Sequence, residues 1–200
     1  FMHKRYHIVS GLLILLLVLL CGCAKTDGES PDLAGPAVGT ANEPPAQSEP
    51  QSEEESAPIF ITFEGMDLEG NTISEDVFLQ SKLTMVNVWA TYCGPCLNEM
   101  PGLGELAAEH DRAEFQIIGI VSDVREGEDP SLVEELVQQT GADYPHLLAN
   151  ASIDQAFLAG VSGVPTTFFF DGEGAYLGGI VGAADKSTWE ELIHELLEEA

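Results

Sequence analysis

The feature that most constrains this chain is an apolar, strand-like run that ends at two closely spaced cysteines. Residues 83–90 read LTMVNVWA, and Cys93 and Cys96 follow with Gly-Pro between them. Apolar residues at helical spacing begin directly after the pair, so Cys93 should stand at the mouth of a helix and Cys96 one turn inside it. Pro95 suits the first helical turn, where its missing N–H is not needed.

This placement has a chemical consequence for the first cysteine. The start of a helix presents unpaired N–H groups and a partial positive charge, which stabilise a thiolate. The pKa of such a thiol falls from ~8.5 into a range of about 3.5–7.5. The spacing therefore predicts that Cys93 attacks a disulfide and that Cys96 resolves the mixed disulfide.

Two other uses of the pair have less support. A structural zinc site needs two further Cys or His ligands, but the other cysteines, Cys21 and Cys23, lie in the leader. His110, His146 and His194 show no metal-ligand spacing, so we interpret them as structural or solvated. A permanent disulfide remains open in an oxidising compartment, although it would close too short a loop to stabilise the fold much. We therefore favour redox chemistry and expect neither a metal nor a bound cofactor.

The N-terminal residues predict a targeting signal. Basic residues precede an apolar run of thirteen residues, 8–20, which is shorter than the ~20 residues of a membrane span and typical of a secretory signal. The run ends in LCGC, which resembles the bacterial lipoprotein box. We predict a signal peptide over residues 1–22 and a lipidated Cys23. An uncleaved signal anchor is the alternative, and both place the domain outside the cytoplasm on a membrane tether.

The segment after the leader is predicted to be a linker. Residues 24–57 are rich in Pro, Ser, Gly, Ala and Glu and contain almost no large apolar side chain, which predicts disorder. Like charges and prolines should keep it extended. We assign residues 23–57 to a lipidated N-terminus and disordered acidic linker, and residues 58–200 to the folded domain.

The net charge of −27 limits the partners. Binding to nucleic acid depends on Lys and Arg at phosphates, and docking to anionic lipid headgroups has the same requirement. We expect no nucleic-acid partner, and expect contact with the membrane through the lipid anchor alone.

Beyond residue 58 the pattern becomes globular and alternates between strands and helices. Apolar runs separated by amphipathic segments predict an α/β domain with parallel strands joined by crossover helices and an antiparallel edge. The predicted strands are 59–63, 70–73, 83–90, 115–121, 166–170 and 175–181; the predicted helices are 74–81, 93–110, 131–140, 152–159 and a C-terminal helix opened by a capping box at 187–190.

A second motif, VSGVPTT at residues 161–167, places a proline at the start of an apolar strand. A proline there removes a donor from the strand ladder. A cis Val164–Pro165 bond would explain its presence, but few X-Pro bonds are cis, so the residues alone leave this open.

Two motifs together carry a family resemblance. WATYCGPCLNEMP at residues 89–101 and GVPTTFFFD at 163–171, with the predicted strand order, resemble the thioredoxin fold and, within it, the TlpA/ResA-like group of membrane-tethered thiol-disulfide oxidoreductases. The resemblance runs over about residues 58–200. It implies a three-layer α/β sandwich with a mixed central sheet, an N-terminal β-hairpin and an insertion that carries the 131–140 helix.

The resemblance also implies site residues and partners. Pro165 would be cis and pack against the cysteine pair, and the backbone of Val164 would pair with an extended substrate segment. Trp89 and Tyr92 would shape the surface around Cys93. The implied partners are disulfide-bearing envelope proteins and a membrane electron-donor protein, and we expect the protein to be a monomer.

Two positions depart from the patterns of related proteins. Cytoplasmic thioredoxins carry a buried aspartate six residues before the first cysteine, whereas this chain has Asn87. An amide does not relay protons, so Glu99, three residues after Cys96, is our candidate for deprotonating that cysteine. A carboxyl group against apolar side chains would have a raised pKa. The alternative is a solvated helix glutamate.

The second departure is the Gly-Pro between the cysteines, where many cytochrome-maturation members have Glu-Pro. It favours a reducing poise and weakens an assignment to haem-protein maturation in particular. A peroxiredoxin-like peroxidase is an alternative, although that family usually has Thr-x-x-Cys and here Thr91-Tyr92 precedes Cys93. A non-catalytic binding lipoprotein with the same fold is the other alternative.

The lipoprotein hypothesis predicts the mass of the mature protein. Protein extracted from membranes should lack residues 1–22 and carry the added mass of acyl chains on Cys23. Cys23→Ser should abolish both changes because the acceptor thiol is gone. Intact-mass spectrometry measures this directly, and a mass that retains residues 1–22 would contradict lipidation.

Overall fold

The computed structural model describes residues 57–199. The signal peptide, Cys23 and nearly all of the predicted linker lie outside the described residues, so these assignments remain predictions. None of the helices within residues 57–199 combines the length and apolar character that crossing a bilayer requires.

The domain begins with the predicted hairpin, but its first strand starts later than the sequence indicated. Strand β1, Glu64–Met66, pairs antiparallel with β2, Thr72–Ser74. The apolar residues 59–63 were predicted as a strand, yet they form only a single bridge, between Phe60 and Ala175. A side chain, the Glu75 carboxylate, accepts the hydrogen bond from the backbone N–H of Phe63 in place of a neighbouring strand.

The central sheet has five strands in the order β5-β4-β3-β6-β7. The first three in that order run parallel, while β6 and β7 are antiparallel to their neighbours. This is the predicted mixed sheet with an antiparallel edge. The strands span Leu83–Trp89 (β3), Phe115–Arg125 (β4), His146–Ala149 (β5), Thr166–Asp171 (β6) and Tyr176–Val181 (β7).

Helices cover both faces of this sheet, which confirms the three-layer arrangement. They are a 3-10 helix at Glu75–Gln80, α1 at Gly94–Glu109, α2 at Ser131–Thr140, α3 at Ala151–Ala156, a 3-10 turn at Leu158–Gly160, and α4 at Lys186–Glu199. On one face, Leu103 of α1 and Trp189 of α4 pack with Met85 of β3. On the other, Phe78 and Phe157 pack with Val86.

The start of α4 differs from the predicted capping box. The helix begins at Lys186, and the Asp185 carboxylate accepts hydrogen bonds from the backbone N–H and the hydroxyl of Thr188. Asp185 therefore caps the helix two residues before the predicted Ser187. The sequence contains both candidate caps, and only the path of the chain from β7 decides between them.

Candidate active site

The two cysteines lie where the apolar strand meets the following helix, as the sequence predicted. They form a disulfide with an S–S distance of 1.98 Å. Cys93 is the N-cap of α1, and its Sγ accepts a hydrogen bond from the backbone N–H of Cys96 at 3.2 Å. Cys93 is 6% exposed and Cys96 is fully enclosed. An approaching molecule therefore reaches the sulfur of Cys93 first.

Hydrogen bonds connect the loop before the cysteines to the end of β4. The backbone N–H of Thr91 donates to the Asp123 carboxylate at 3.0 Å, and the Thr91 hydroxyl donates to the same carboxylate. The Ser122 hydroxyl donates to the backbone oxygen of Trp89 at 2.9 Å. The extension of β4 beyond residue 121 thus fixes the turn that carries Cys93. Nothing in the sequence indicated these hydrogen bonds, because its apolar pattern predicted that β4 ends at Val121.

The second motif faces this turn. The Val164–Pro165 peptide bond is cis, which the resemblance implied and the residues alone left open. The backbone oxygen of Val164 lies 3.7 Å from the Sγ of Cys93, and the oxygen of Pro165 accepts a hydrogen bond from Gly182 at 2.9 Å. Because β6 begins only at Thr166, Pro165 removes no donor from the sheet.

The two aromatic residues near the cysteines occupy different environments. Tyr92 is 77% exposed, in agreement with a residue on the surface around Cys93. Trp89 is fully buried and packs with Cys93 and Cys96 in one apolar cluster. The expectation that Trp89 shapes the outer surface is therefore corrected: it supports the cysteines from beneath, because strand β3 directs its side chain under α1.

A buried histidine holds Trp89 in place. The indole N–H of Trp89 donates to Nδ1 of His146 at 3.2 Å, and Nε2 of His146 donates to the backbone oxygen of Ala142 at 3.0 Å. Burial lowers the pKa of His146 to about 4, so the ring stays neutral at physiological pH. A Cβ at Gly119 would lie 2.1 Å from Nδ1 of His146, so the missing side chain leaves the space for this ring. The structure confirms a structural role for His146.

Glu99 lies beneath the pair, on the same helix as Cys96. It is 6% exposed, so it is not the solvated helix glutamate of the alternative interpretation. The side-chain Nδ2 of Asn87 donates to its Oε1 at 3.1 Å, and the backbone N–H of Ala184 donates to its Oε2 at 3.1 Å. Burial raises the pKa of Glu99, and these two hydrogen bonds partly oppose that rise.

Three basic side chains of the described domain form ion pairs with acids at its surface. Lys82 pairs with Glu114, Arg125 with Asp154, and Lys186 with Glu105 and Glu109, all with substantial exposure. Within residues 57–199 no group of three or more His, Cys, Asp or Glu side chains is placed to hold a metal. The positive potential at Cys93 therefore comes from the start of α1.

A cysteine pair at a helix start, beside a cis proline on this three-layer sheet, defines a thioredoxin-fold thiol-disulfide oxidoreductase. The chain belongs to the AhpC/TSA family, whose family model matches residues 56–175.

Comparison with known proteins supports the same class. Over 136 residues, 67% of this chain and 72% of the relative, it is 32% identical to the thiol-disulfide oxidoreductase ResA of Bacillus thuringiensis (strain Al Hakam). It is 30% identical to the thiol:disulfide interchange protein DsbE of Escherichia coli (strain K12), covering 68% of this chain and 69% of that relative. A thioredoxin-family thiol:disulfide interchange protein from Chlorobium tepidum TLS has a similar structure, with a TM-score of 0.63, 27% identity, and coverage of 72% of this chain and 99% of that one.

The buried histidine predicts a pH dependence of stability. Its pKa is about 4 in the folded protein and ~6.5 in an unfolded chain, so the unfolded state binds more protons between these values. The contribution of His146 is fully present above pH ~6.5 and is lost as the pH falls to about 4, a loss of about 3 kcal/mol. The raised pKa of Glu99 acts in the opposite direction, so wild type must be compared with a variant.

His146→Gln should remove this loss, because the amide oxygen can accept from Trp89 and the amide N–H can donate to Ala142. Denaturant unfolding between pH 7 and pH 4 measures the difference from wild type. His194→Gln is the matched control, since His194 is exposed on α4 and should follow the wild-type curve. Parallel curves for wild type and His146→Gln would contradict a buried neutral histidine.

Proposed function

We propose that this protein is a lipid-anchored, extracytoplasmic reductase of disulfides in envelope proteins. The observation that carries the proposal is the disulfide between Cys93 and Cys96 at the start of α1, with Cys93 3.7 Å from the oxygen of Val164 beside a cis proline. Only the sulfur of Cys93 is within reach of a substrate, and the helix start favours its thiolate.

In the reaction, the dithiol form of the protein transfers two electrons to a substrate disulfide. The Cys93 thiolate attacks one substrate sulfur, and the other substrate sulfur leaves as a thiolate. Cys96 then loses its proton and attacks Sγ of Cys93, which releases the second substrate thiolate and forms the Cys93–Cys96 disulfide. The substrate disulfide is reduced and the protein dithiol is oxidised.

Glu99 is the proposed acceptor for the proton of Cys96. It lies one helical turn beyond Cys96, is buried, and has a raised pKa, all of which suit a group that exchanges protons near neutral pH. It then passes the proton to the departing substrate thiolate or to water. In the reverse direction a protonated Glu99 returns the proton to Cys96 when the disulfide is reduced.

An extended substrate segment would lie along residue 164. The backbone of Val164 is directly beside Cys93, and Tyr92 offers an exposed aromatic surface on the neighbouring turn. The proposed substrates are the haem-site cysteines of apocytochrome c or an oxidised repair enzyme such as an extracellular methionine sulfoxide reductase. A membrane electron-donor protein would reduce the disulfide after each turnover.

The proposed location rests on the sequence of the leader. The short apolar run 8–20 followed by Cys23 supports cleavage and lipidation. The acidic segment up to residue 57 would hold the domain away from the bilayer. We expect the anchored protein to be a monomer.

Substrate reduction provides the direct test. The wild-type protein should reduce the disulfides of insulin with a thiol as electron source, and Cys93→Ser should abolish this activity because the attacking sulfur is gone. Cys96→Ser should instead accumulate a mixed disulfide through Cys93, visible by non-reducing electrophoresis. Full activity of Cys93→Ser would contradict the proposal, and rapid consumption of peroxide would favour the peroxidase alternative.

A separate prediction concerns Glu99. Glu99→Gln should slow the attack of Cys96 on a preformed mixed disulfide by about a hundredfold, because the proton acceptor is lost. The free energy of unfolding at pH 7 should not fall, since the variant removes a buried carboxyl group whose pKa is raised. Stopped-flow release of the substrate thiol measures the rate.

Glu105→Gln is the matched control for that experiment. Glu105 lies on the same helix but is exposed, where it pairs with Lys186, and its substitution should leave the rate unchanged. Equal rates for Glu99→Gln and wild type would show that another group takes the proton of Cys96.

A further inference from the structure

The side-chain amide of Asn87 has an unusual distribution of hydrogen bonds. Its Nδ2 donates to Oε1 of Glu99 and to the hydroxyl oxygen of Thr167, both at 3.1 Å. Its Oδ1 is buried and accepts no hydrogen bond from any described residue. A buried amide oxygen without a hydrogen-bond donor is unfavourable. The hydrogen bonds from Nδ2 to Glu99 and Thr167 therefore hold the amide in this orientation.

The hydrogen bonds that Glu99 can form change with its protonation state. As a carboxylate it only accepts hydrogen bonds, and both of its oxygens do so, from Asn87 and from the backbone N–H of Ala184. As a neutral acid it must also donate one. The N–H of Ala184 has no accepting capacity, whereas the amide of Asn87 carries an acceptor on the atom opposite Nδ2.

Rotation of the Asn87 amide by about half a turn exchanges its oxygen and nitrogen. Oδ1 then occupies the present position of Nδ2, within hydrogen-bond distance of both Glu99 and Thr167. The hydroxyl of Thr167 either donates or accepts, so it is satisfied in both orientations. An aspartate at position 87 offers no N–H donor, and an apolar residue offers neither group.

We propose that Asn87 is a positioning residue that serves Glu99 in both protonation states, as a donor to the carboxylate and, after rotation of its amide, as an acceptor from the acid. The proposal rests on the proposed function of Glu99 as the proton acceptor for Cys96. It assigns a task to the residue that replaces the aspartate of cytoplasmic thioredoxins: Asn87 holds no proton itself and keeps Glu99 in place while the proton moves.

The other titratable groups that face Glu99 stay neutral, so Cys96 is its partner in proton exchange. Burial and the nearby Glu99 raise the pKa of Tyr144, which therefore stays neutral. His146, whose ring lies against that of Tyr144, is neutral because its pKa is about 4. The indole N–H of Trp189 lowers the pKa of Glu99, although its geometry falls short of a hydrogen bond.

The remaining charged groups on the packed elements are directed to solvent. Asp185 and Lys186, next to Ala184, hydrogen-bond at the surface, and Glu134 and Glu135 on α2 are exposed. Among the groups on these packed elements, Cys96 in the dithiol form is therefore the one that exchanges a proton with Glu99.

Kinetics of the full-length protein test the proposal through its pH profile. Asn87→Leu should move the rise of the Cys96 resolution rate to higher pH by about one unit, because the carboxylate loses a donor, so that the rate at pH 7 falls roughly three- to tenfold. Thr167→Val is the matched control: it removes the other partner of the same amide, and its pH profile should match wild type.

The double variant separates this proposal from the proposed function. In a Glu99→Gln background, Asn87→Leu should cause no further shift, since the group that it positions is gone. If Glu99→Gln leaves the rate unchanged, the role of Glu99 itself fails. If Glu99→Gln slows the reaction but Asn87→Leu leaves the pH profile in place, the role of Asn87 alone is overturned.

Nuclear magnetic resonance of the wild-type protein keeps the test independent of how the variants fold. The side-chain N–H resonances of Asn87 should titrate with the same midpoint as the carboxyl carbon of Glu99, and their through-space contact with Thr167 should disappear as Glu99 is protonated. An amide whose resonances and contacts do not change across that midpoint would overturn the proposal.

Discussion

The site depends on the pairing of β3 with both of its neighbours. Every residue of β3 from Leu83 to Trp89 is buried, with β4 parallel on one side and β6 antiparallel on the other. Because β6 runs in the opposite direction, its first residue lies beside the last residues of β3. This pairing brings the start of α1, with Cys93, against the loop that ends in Pro165, two segments separated by about seventy residues of sequence. The disulfide and the cis proline are neighbours only through the sheet.

Beneath the disulfide lies a small set of buried polar side chains. Asn87, Glu99 and His146 are all nearly or fully buried, and each uses at least one fixed hydrogen bond. Burial acts on the two ionisable members in opposite directions, raising the pKa of Glu99 and lowering that of His146, so that both favour the neutral form. Burial therefore disfavours a fixed charge on either side chain in the region below the cysteines.

The acidity of the chain and the chemistry of the site are separate matters. Most Asp and Glu side chains of residues 57–199 are exposed, and Lys82, Arg125 and Lys186 pair with acidic side chains at the surface. Within residues 57–199, no lysine or arginine forms an ion pair or hydrogen bond at the site, so a thiolate at Cys93 depends on the N–H groups at the start of α1. Electrostatic support at short range comes from the backbone, and the side-chain charges act on solubility and on the approach of partners.

The sequence by itself determined the elements that local chemistry governs. The apolar run ending at Cys93, the spacing to Cys96, the α2 helix closed at Gly141 and the α/β order all follow from periodicity and turn residues, and the structure reproduces them. Only the tertiary structure decided which residues meet. The sequence did not reveal that Trp89 is buried on His146, or that Asn87 contacts Glu99 and Thr167. These contacts join residues 12 to 80 positions apart, and their geometry is set by the register of β3 against its neighbours, which no local pattern in the chain specifies.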